Sequence, residues 1–509
     1  MIRTFSTNKA GFLLLFFLID ILSPMTAQTV HQIEILNADL NKSAPKLGKG
    51  VHKLLGNVKF RHEGAVMYCD SAIFYSKTYS MDAYSNVKIV QGDTLFLYGD
   101  RLHYEGQSKI AQVRRNVKLI DDSTVLVTNY LDYDRINKVA YYLNGGIINE
   151  GDNQLTSEKG YYYTETEIFN FKDSVVIINP DYTIQSDTLE YNTKTHVAYF
   201  FGPTNIVSEE NFLYCESGWY DTDLDISLLQ KNAFLVREGR TLQADTLYYE
   251  RGTGLGRANS SVQLYDSAQN VYLIGNKGIY YEIEQLATLT DSALMIQVHG
   301  PDTLYVHADT LRSIADTSSI DDKKILLAYY KVKIFRHDIQ GMCDSLTYVE
   351  KDSTFHLYGS PIIWSDENQI NASKIEIKTR GQELYRLYLR DIALLIAEID
   401  SAKYNQIRGK SMVGYFKENE LVELDVTGNG QTIYYPIDQG EITGANRAEC
   451  TDLIIFLKDN KVNKVKYKVK PTGKYYPLEM FPAEMRFLDG FSWNDEWRPK
   501  NYMDIYRWK

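Results

Sequence analysis

Tyrosine recurs at Tyr75, Tyr104, Tyr133, Tyr162, Tyr191, Tyr220 and Tyr249, each 29 residues after the last. So short a fixed period constrains the fold more than any single motif does. A 29-residue unit cannot bury an apolar face alone, so neighbouring units must stack and share a continuous core. The 509 residues also exceed what one ordinary core holds, which points to an array growing in one direction. Two residues before each tyrosine stands Ile73, Leu102, Leu131, Gly160, Leu189, Gly218 or Leu247. The unit therefore mostly reads apolar-x-Tyr, the period-two signature of one strand face. Looser copies follow at Gly278-Ile279-Tyr280, Leu346-Thr347-Tyr348 and Ile375-Glu376-Ile377, and the pattern fades near Met412 to Tyr415. Insertions such as Asp316 to Lys324 account for the drift.

A second strand signal lies out of phase with the first: Asn57-Val58-Lys59-Phe60, Asn86-Val87-Lys88-Ile89, Asn116-Val117-Lys118-Leu119, Ser261-Val262-Gln263-Leu264 and Lys331-Val332-Lys333-Ile334. Gly92-Asp93, Asp121-Asp122, Gly145-Gly146 and Gly151-Asp152 supply turn residues between strands. With 40 Tyr, only 11 Pro and no segment of helix-forming composition, the chain is expected to be all-β, each unit holding two or three short strands. About 13 such units, adding one or two layers of roughly 5 Å each, would make a rod on the order of 65 to 130 Å long.

Arg3 and Lys9, the apolar run Gly11 to Leu22, and Ser23 to Ala27 have the layout of an export signal, with cleavage expected after Ala27. The expected divisions are a signal over 1–27, an N-terminal segment over 28–50, regular repeats over 51–315, looser repeats over 316–458, and a Lys-rich strand with a Pro/Trp-rich tail over 459–509. A net charge of −11 disfavours nucleic acid. Cys69, Cys215, Cys343 and Cys450 lie more than a hundred residues apart without a metal-ligand or redox spacing, so buried free thiols are expected. No His-Glu-x-x-His, Gly-x-Ser-x-Gly or nucleotide-binding loop occurs, so neither enzyme activity, a metal nor a cofactor is expected; Gly252 to Gly256 reads as a flexible turn.

Ser186-Asp187-Thr188-Leu189-Glu190-Tyr191, followed by Thr195 to Phe200, resembles the repeating sequence of the OstA-like family of lipopolysaccharide transport. Ala244 to Leu247, Ala308 to Leu311, Gly92 to Leu95, Gly56-Asn57-Val58 and Asp100 to Tyr104 carry the same elements, and the resemblance runs from about Val51 to about Lys458. It implies an elongated, twisted β-jellyroll array whose two facing sheets enclose an apolar groove, with edge-to-edge contact to other transport proteins in the periplasm. It also implies lipopolysaccharide or a related lipid as ligand. The chain is longer than the family's single bridging domain and lacks the long C-terminal region of its outer-membrane barrel member, so the bridge role is the expected one.

An apolar interior that opens along a seam can shield acyl chains, each buried methylene contributing about 0.8 kcal/mol. The expected groove residues are Val58, Ile73, Val87, Leu102, Val117, Leu131, Leu189 and Leu247; a closed core uses the same residues. Asp100, Asp187, Asp245, Asp309 and Asp344 recur near strand starts and read as turn caps rather than as a calcium or acid/base ladder. Lys464, Lys466, Lys468 and Lys470 share one strand face, either blunting an edge or meeting lipid phosphates. The tail with Trp493, Trp497 and Trp508 reads as a cap on the last strand. The alternatives are a closed-core surface or adhesion protein, a polysaccharide-processing β-helix and an outer-membrane barrel.

Overall fold

The computed structural model describes residues 33–508 apart from 122, 210, 299–301, 319–322, 382 and 459–460. The export signal and its cleavage site lie outside the described residues. Among those described, nearly all strands join one 34-stranded antiparallel sheet. Its first full-length strands, Val51–His62, Ala65–Tyr75, Ser80–Gln91, Leu95–Glu105, Ile110–Asp121 and Thr124–Asp134, each run 11 or 12 residues and pair with the next in line. The repeat is thus a hairpin of two long strands, not two or three short ones. The tyrosine period counts hairpins, and each hairpin adds two rows to the sheet.

Every second strand is bent at its middle. Adjacent residues with left-handed φ occur at Gly56-Asn57, Ser85-Asn86, Arg115-Asn116, Asp173-Ser174, Lys231-Asn232, Ser260-Ser261 and Asp291-Ser292, and the pairing register shifts at each. A bulge bends the strand that carries it, and bulges stacked in line crease the whole sheet. Some strands break instead: Val139–Tyr142 and Gly146–Glu150 pair separately with Lys159–Tyr163 and Asn153–Ser157. The sheet is folded lengthwise into two leaves. One cavity is lined both by Leu97 and Leu119 of the first leaf and by Leu102 and Leu131 of the second, so the inner faces oppose each other. The two facing sheets of a jellyroll array are here two halves of one sheet.

Close approach of the leaves at the crease leaves room only for small or β-branched side chains. One inward position there holds Cys69, Gly99, Thr128, Ser157, Ser186, Cys215, Ala244, Gly275, Ala308, Cys343 and Cys450 in alternate strands. Opposite them stand Val58, Val87, Val117, Val175, Thr204, Ala233, Val262, Ala293, Val332 and Gly430. All four cysteines therefore occupy the same structural position, and all four are free and buried. Burial pushes the thiols of Cys69 and Cys215 up to about 11 and that of Cys343 to about 12. A thiol reagent at neutral pH is expected to label the native chain far more slowly than the urea-unfolded chain, as a timed mass measurement would read.

The recurring aspartates are not turn caps. They lie at mid-strand on the outside of the crease, against the bulge of the next strand. Asn116 donates to Asp100 at 2.8 Å, Lys331 meets Asp309 at 3.4 Å, and Gly202 and Gly359 approach Asp187 and Asp344. Asn86 to Asp70 and Asn232 to Glu216 repeat the bond at 2.8 and 2.9 Å. Turn capping falls to other residues: the side chains of Asp134, Asn192, Asp221 and Asp266 accept from backbone N–H groups two and three residues on.

One apolar core spans Ile33 to Ala293 and a second spans Val306 to Ile455. A third lies on the outer face of the C-terminal strands, under the tail. The tail is not an end cap. After Thr472–Pro477 pairs with Gly444 to Glu449, the chain turns back and crosses the outside of earlier strands, reaching Tyr305 and His307 with Tyr502 and Tyr506.

Candidate functional site: the space between the leaves

Val58, Val87 and Val117 form the floor of the inter-leaf space at the crease, while Leu102, Leu131, Leu189 and Leu247 line its second leaf; all are buried. Ile73 does not join them. Ala72 and Phe74 are the buried residues of their strand, and Ile73 between them faces the other way. The reason is one extra residue in the first repeat. Ala65–Tyr75 and Leu95–Glu105 begin 30 residues apart, so the residue equivalent to Leu102 is Ala72 and that equivalent to Tyr104 is Phe74. Both aromatic residues pair with Met81 on its two sides.

At Gly160, Gly218 and Gly278 the inward leucine is replaced by glycine. Gly160 and Gly146 both abut the ring of Tyr142, whose hydroxyl meets Ser157 Oγ at 2.6 Å. The ring fills the volume that a leucine fills elsewhere, and burial pushes the Tyr142 phenol up to about 12.

At the N-terminal end the space is closed. Phe60, Met67, Met81, Leu97, Leu102, Leu119 and Leu131 leave a cavity of about 60 Å³. A cavity that accepts a single benzene ring is about 150 Å³, so an acyl chain enters here only if the leaves part. A polar latch holds them together. Glu63, in the short turn at the rim of the first leaf, takes Lys109 Nζ at 2.8 Å and Arg135 Nη2 at 3.4 Å from the rim of the second. His62 Nε2 lies 3.8 Å from the same carboxylate, and its ring packs on Tyr104 with centroids 5.5 Å apart. Nearby, Tyr162 donates to Asp121 at 3.0 Å across the same gap.

The Lys109 hydrogen bond, with Arg135 and His62, holds the Glu63 carboxyl below the usual range against the opposing effect of burial. A lowered folded-state value means that the latch contributes stability above the usual carboxylate range and loses it as the pH falls through the lowered value. Backbone protection factors at residues 102–104 and 131–133 are expected to drop below about pH 4 in hydrogen exchange, and Glu63→Gln should remove most of that dependence.

Farther along, the space opens. At the tyrosine position of the repeat, exposure is 4% at Tyr104 and 6% at Tyr162, but 36% at Tyr249 and 43% at Tyr280. Leu242, Leu273 and Leu311 likewise only partly cover the end of the first core. Inward-facing apolar side chains are thus incompletely covered where the first core gives way to the second.

Lys464, Lys466 and Lys468 are exposed on Lys461–Lys468, whose Val465 and Tyr467 pack on the second core; Lys470 follows in a left-handed turn and is exposed too. That strand pairs with Gly444–Lys458 on one side and has no partner on the other among the described residues. No group of three or more His, Cys, Asp or Glu side chains able to hold a metal occurs among the described residues. No described helix is long and apolar enough to cross a membrane.

Of the residues the sequence singles out as a groove, all but Ile73 lie on the floor and one wall of this space, and the sequence does not mark the latch. Glu63, Lys109 and Arg135 sit in turns that share no period, so nothing in the repeat marks them.

The model of the OstA-like protein family matches residues 30–187 and 185–245. The match begins earlier than Val51 and stops well before Lys458, at the end of the closely spaced repeats. A comparison with curated proteins finds no match. Among solved structures, the chain is similar to LptH, the LptA homologous periplasmic component of the conserved lipopolysaccharide transport device from Pseudomonas aeruginosa. Identity is 13% and the TM-score 0.20, over 21% of this chain and 82% of that one, a likeness too low to carry any argument. The sequence match falls on the creased hairpins themselves: over residues 30–245 this chain is similar to the OstA-like family.

Proposed function

We propose that the chain is a non-enzymatic periplasmic bridge protein that binds lipopolysaccharide or a related lipid and helps pass it toward the outer membrane. Acyl chains would lie between the two leaves, entering where the interior is least covered. The observation that carries this reading is the graded opening of one apolar interior, from Tyr104 at 4% exposure to Tyr280 at 43%. A roughly 12-carbon chain buried there gains on the order of 9 kcal/mol before ordering costs, enough to hold a lipid without any chemistry. The sheet's two end edges, Glu34–Asn37 with Leu40–Ser43 and Lys461–Lys468 with Thr472–Pro477, suit edge-to-edge docking to other transport proteins.

The competing reading, a closed-core surface protein, draws on the tight packing around the 60 Å³ cavity. Native mass spectrometry of the exported protein, purified without detergent, separates the two. Co-purifying lipid on the parent chain is expected, with most of it lost from folded Leu273→Glu and Tyr280→Glu variants. A lipid-free parent that also refuses added lipid A would favour the closed core.

A further inference from the structure

Resting on the lipid-binding reading, the geometry points to a phosphate site at the N-terminal end of the inter-leaf space. We propose that Lys109 and Arg135 bind the phosphate of an amphiphile, and that Glu63 occupies this site as an internal stand-in until the amphiphile displaces it. Two cations converge on one carboxylate, with Lys109 Nζ at 2.8 Å and Arg135 Nη2 at 3.4 Å, so a single negative charge faces two positive ones. A phosphate monoester carries nearly two charges at neutral pH and three acceptor oxygens, which suits a guanidinium fork beside an ammonium better than one carboxylate does.

The three groups stand on opposite rims. Glu63 follows Val51–His62 on the first leaf, whereas Lys109 and Arg135 lie in the turns before Ile110–Asp121 and after Thr124–Asp134 on the second. Directly beneath is the apolar cavity, whose lining includes Arg135 itself together with Phe60, Leu102 and Leu131. A ligand that takes both cations frees Glu63 and with it the tie between the rims. The leaves can then part for the ligand's own alkyl chain, so head and tail of one molecule open and fill the same chamber. Glu63 thereby also excludes uncharged amphiphiles, which cannot break the latch.

The test uses the full-length protein and isothermal titration with monododecyl phosphate, dodecyl glucoside and inorganic phosphate, each below any micelle concentration. The expected order is the alkyl phosphate well ahead of both others. Glu63→Gln should bind the alkyl phosphate about tenfold more tightly because the competing anion is gone, and Lys109→Gln and Arg135→Gln about tenfold less tightly, each change corresponding to one charge-assisted hydrogen bond. Lys109→Arg, which keeps the charge, should restore binding and so distinguishes a lost ligand contact from a misfolded variant. If alkyl phosphate and glucoside bind equally and none of the substitutions matters, the phosphate site is wrong while lipid binding stands. If inorganic phosphate binds as tightly as the ester, the link to the apolar chamber is wrong. If neither amphiphile binds parent or variants, the lipid-binding reading itself fails and this inference falls with it.

Discussion

Ala244→Leu is expected to unfold the middle of the array, while replacing all four cysteines by alanine leaves the chain folded. Both expectations come from the crease. Ala244 is 1% exposed, pairs with Ala233, and occupies the inward position that Cys69, Cys215, Cys343 and Cys450 fill in other strands. The repeat itself has carried out the control substitutions: alanine stands at 244 and 308 and glycine at 99 and 275 without altering the pairing of neighbouring strands. Cysteine to alanine therefore falls within the range the position already accepts, and each change should cost under about 1.5 kcal/mol.

Leucine adds three heavy atoms where two backbones approach. Overpacking of a tight core costs about 1–3 kcal/mol when neighbours can move, and more when they cannot. Here they cannot move alone. A Cβ built on Gly275, the same position in the next hairpin, would come within 2.8 Å of Leu289 Cγ and 3.1 Å of the Thr290 carbonyl oxygen. Forcing the crease open at one row also separates the leaves in the rows beside it, because each row contacts only its neighbours. Thermal melts followed by circular dichroism should show the tetra-alanine variant within a few degrees of the parent. Ala244→Leu should show an early additional transition, with new protease sites on either side of residue 244. A tetra-alanine variant that fails to fold would mean that the thiols do more than fit; an Ala244→Leu chain that melts like the parent would mean that the crease is roomier than its packing indicates.

The crease also shows what can and cannot be read from a sequence of this kind. The 29-residue tyrosine period revealed the array and its all-β character, because aromatic side chains at one inward position repeat in chemistry as well as in place. The position at 69, 99, 128, 157, 186, 215 and 244 recurs just as regularly. It holds cysteine, glycine, threonine, serine and alanine, which share only small volume, so hydropathy does not mark it. Ile73 shows the complementary error. A strict 29-residue step from Leu102 lands one residue off in a 30-residue repeat, and in a strand one residue is the difference between the inner face and the outer. Gly160 and Gly218 looked like weak copies of the apolar position, yet Gly160 is glycine because Tyr142 comes from a neighbouring strand to fill its place. The recurring acids resemble turn caps in the sequence because Asp is common in turns; their partners at the bulges become visible only once strand register is known. Contacts between residues with no periodic relation, such as the Glu63 latch and the tail, leave no trace in a repeat pattern.

Removing residues 478–509 is expected to make the protein self-associate and to destabilise its C-terminal strands, with little effect on the N-terminal hairpins. The tail covers a face that elsewhere in the array is solvated. Beneath it Trp364, Leu394, Ile396, Tyr404, Ile433 and Tyr435 are all buried although they point away from the inter-leaf core. Each large apolar side chain returned to water costs about 1.5–3 kcal/mol, and six together form a contiguous patch of the kind that drives association.

The tail is positioned by two side-chain amides that act as short pieces of strand. Gln406 donates to the Arg486 carbonyl at 2.9 Å and accepts from the Leu488 N–H at 2.8 Å. Gln369 does the same with Ser492 at 2.7 Å and Asn494 at 2.8 Å. Both glutamines are fully buried, and Lys333 adds a bond to the Trp497 carbonyl at 3.2 Å. Replacing either glutamine by alanine strands a buried backbone donor and acceptor, each costing about 1–3 kcal/mol. Light scattering on a sizing column should find the truncated chain in species at least twice the mass of those the parent forms. Limited proteolysis should cut Gln369→Ala/Gln406→Ala first within 478–508 and only later in the repeats. A truncated chain that keeps the parent's association state and melts unchanged would show that the outer face needs no cover, and that the tail rests on the sheet without holding it.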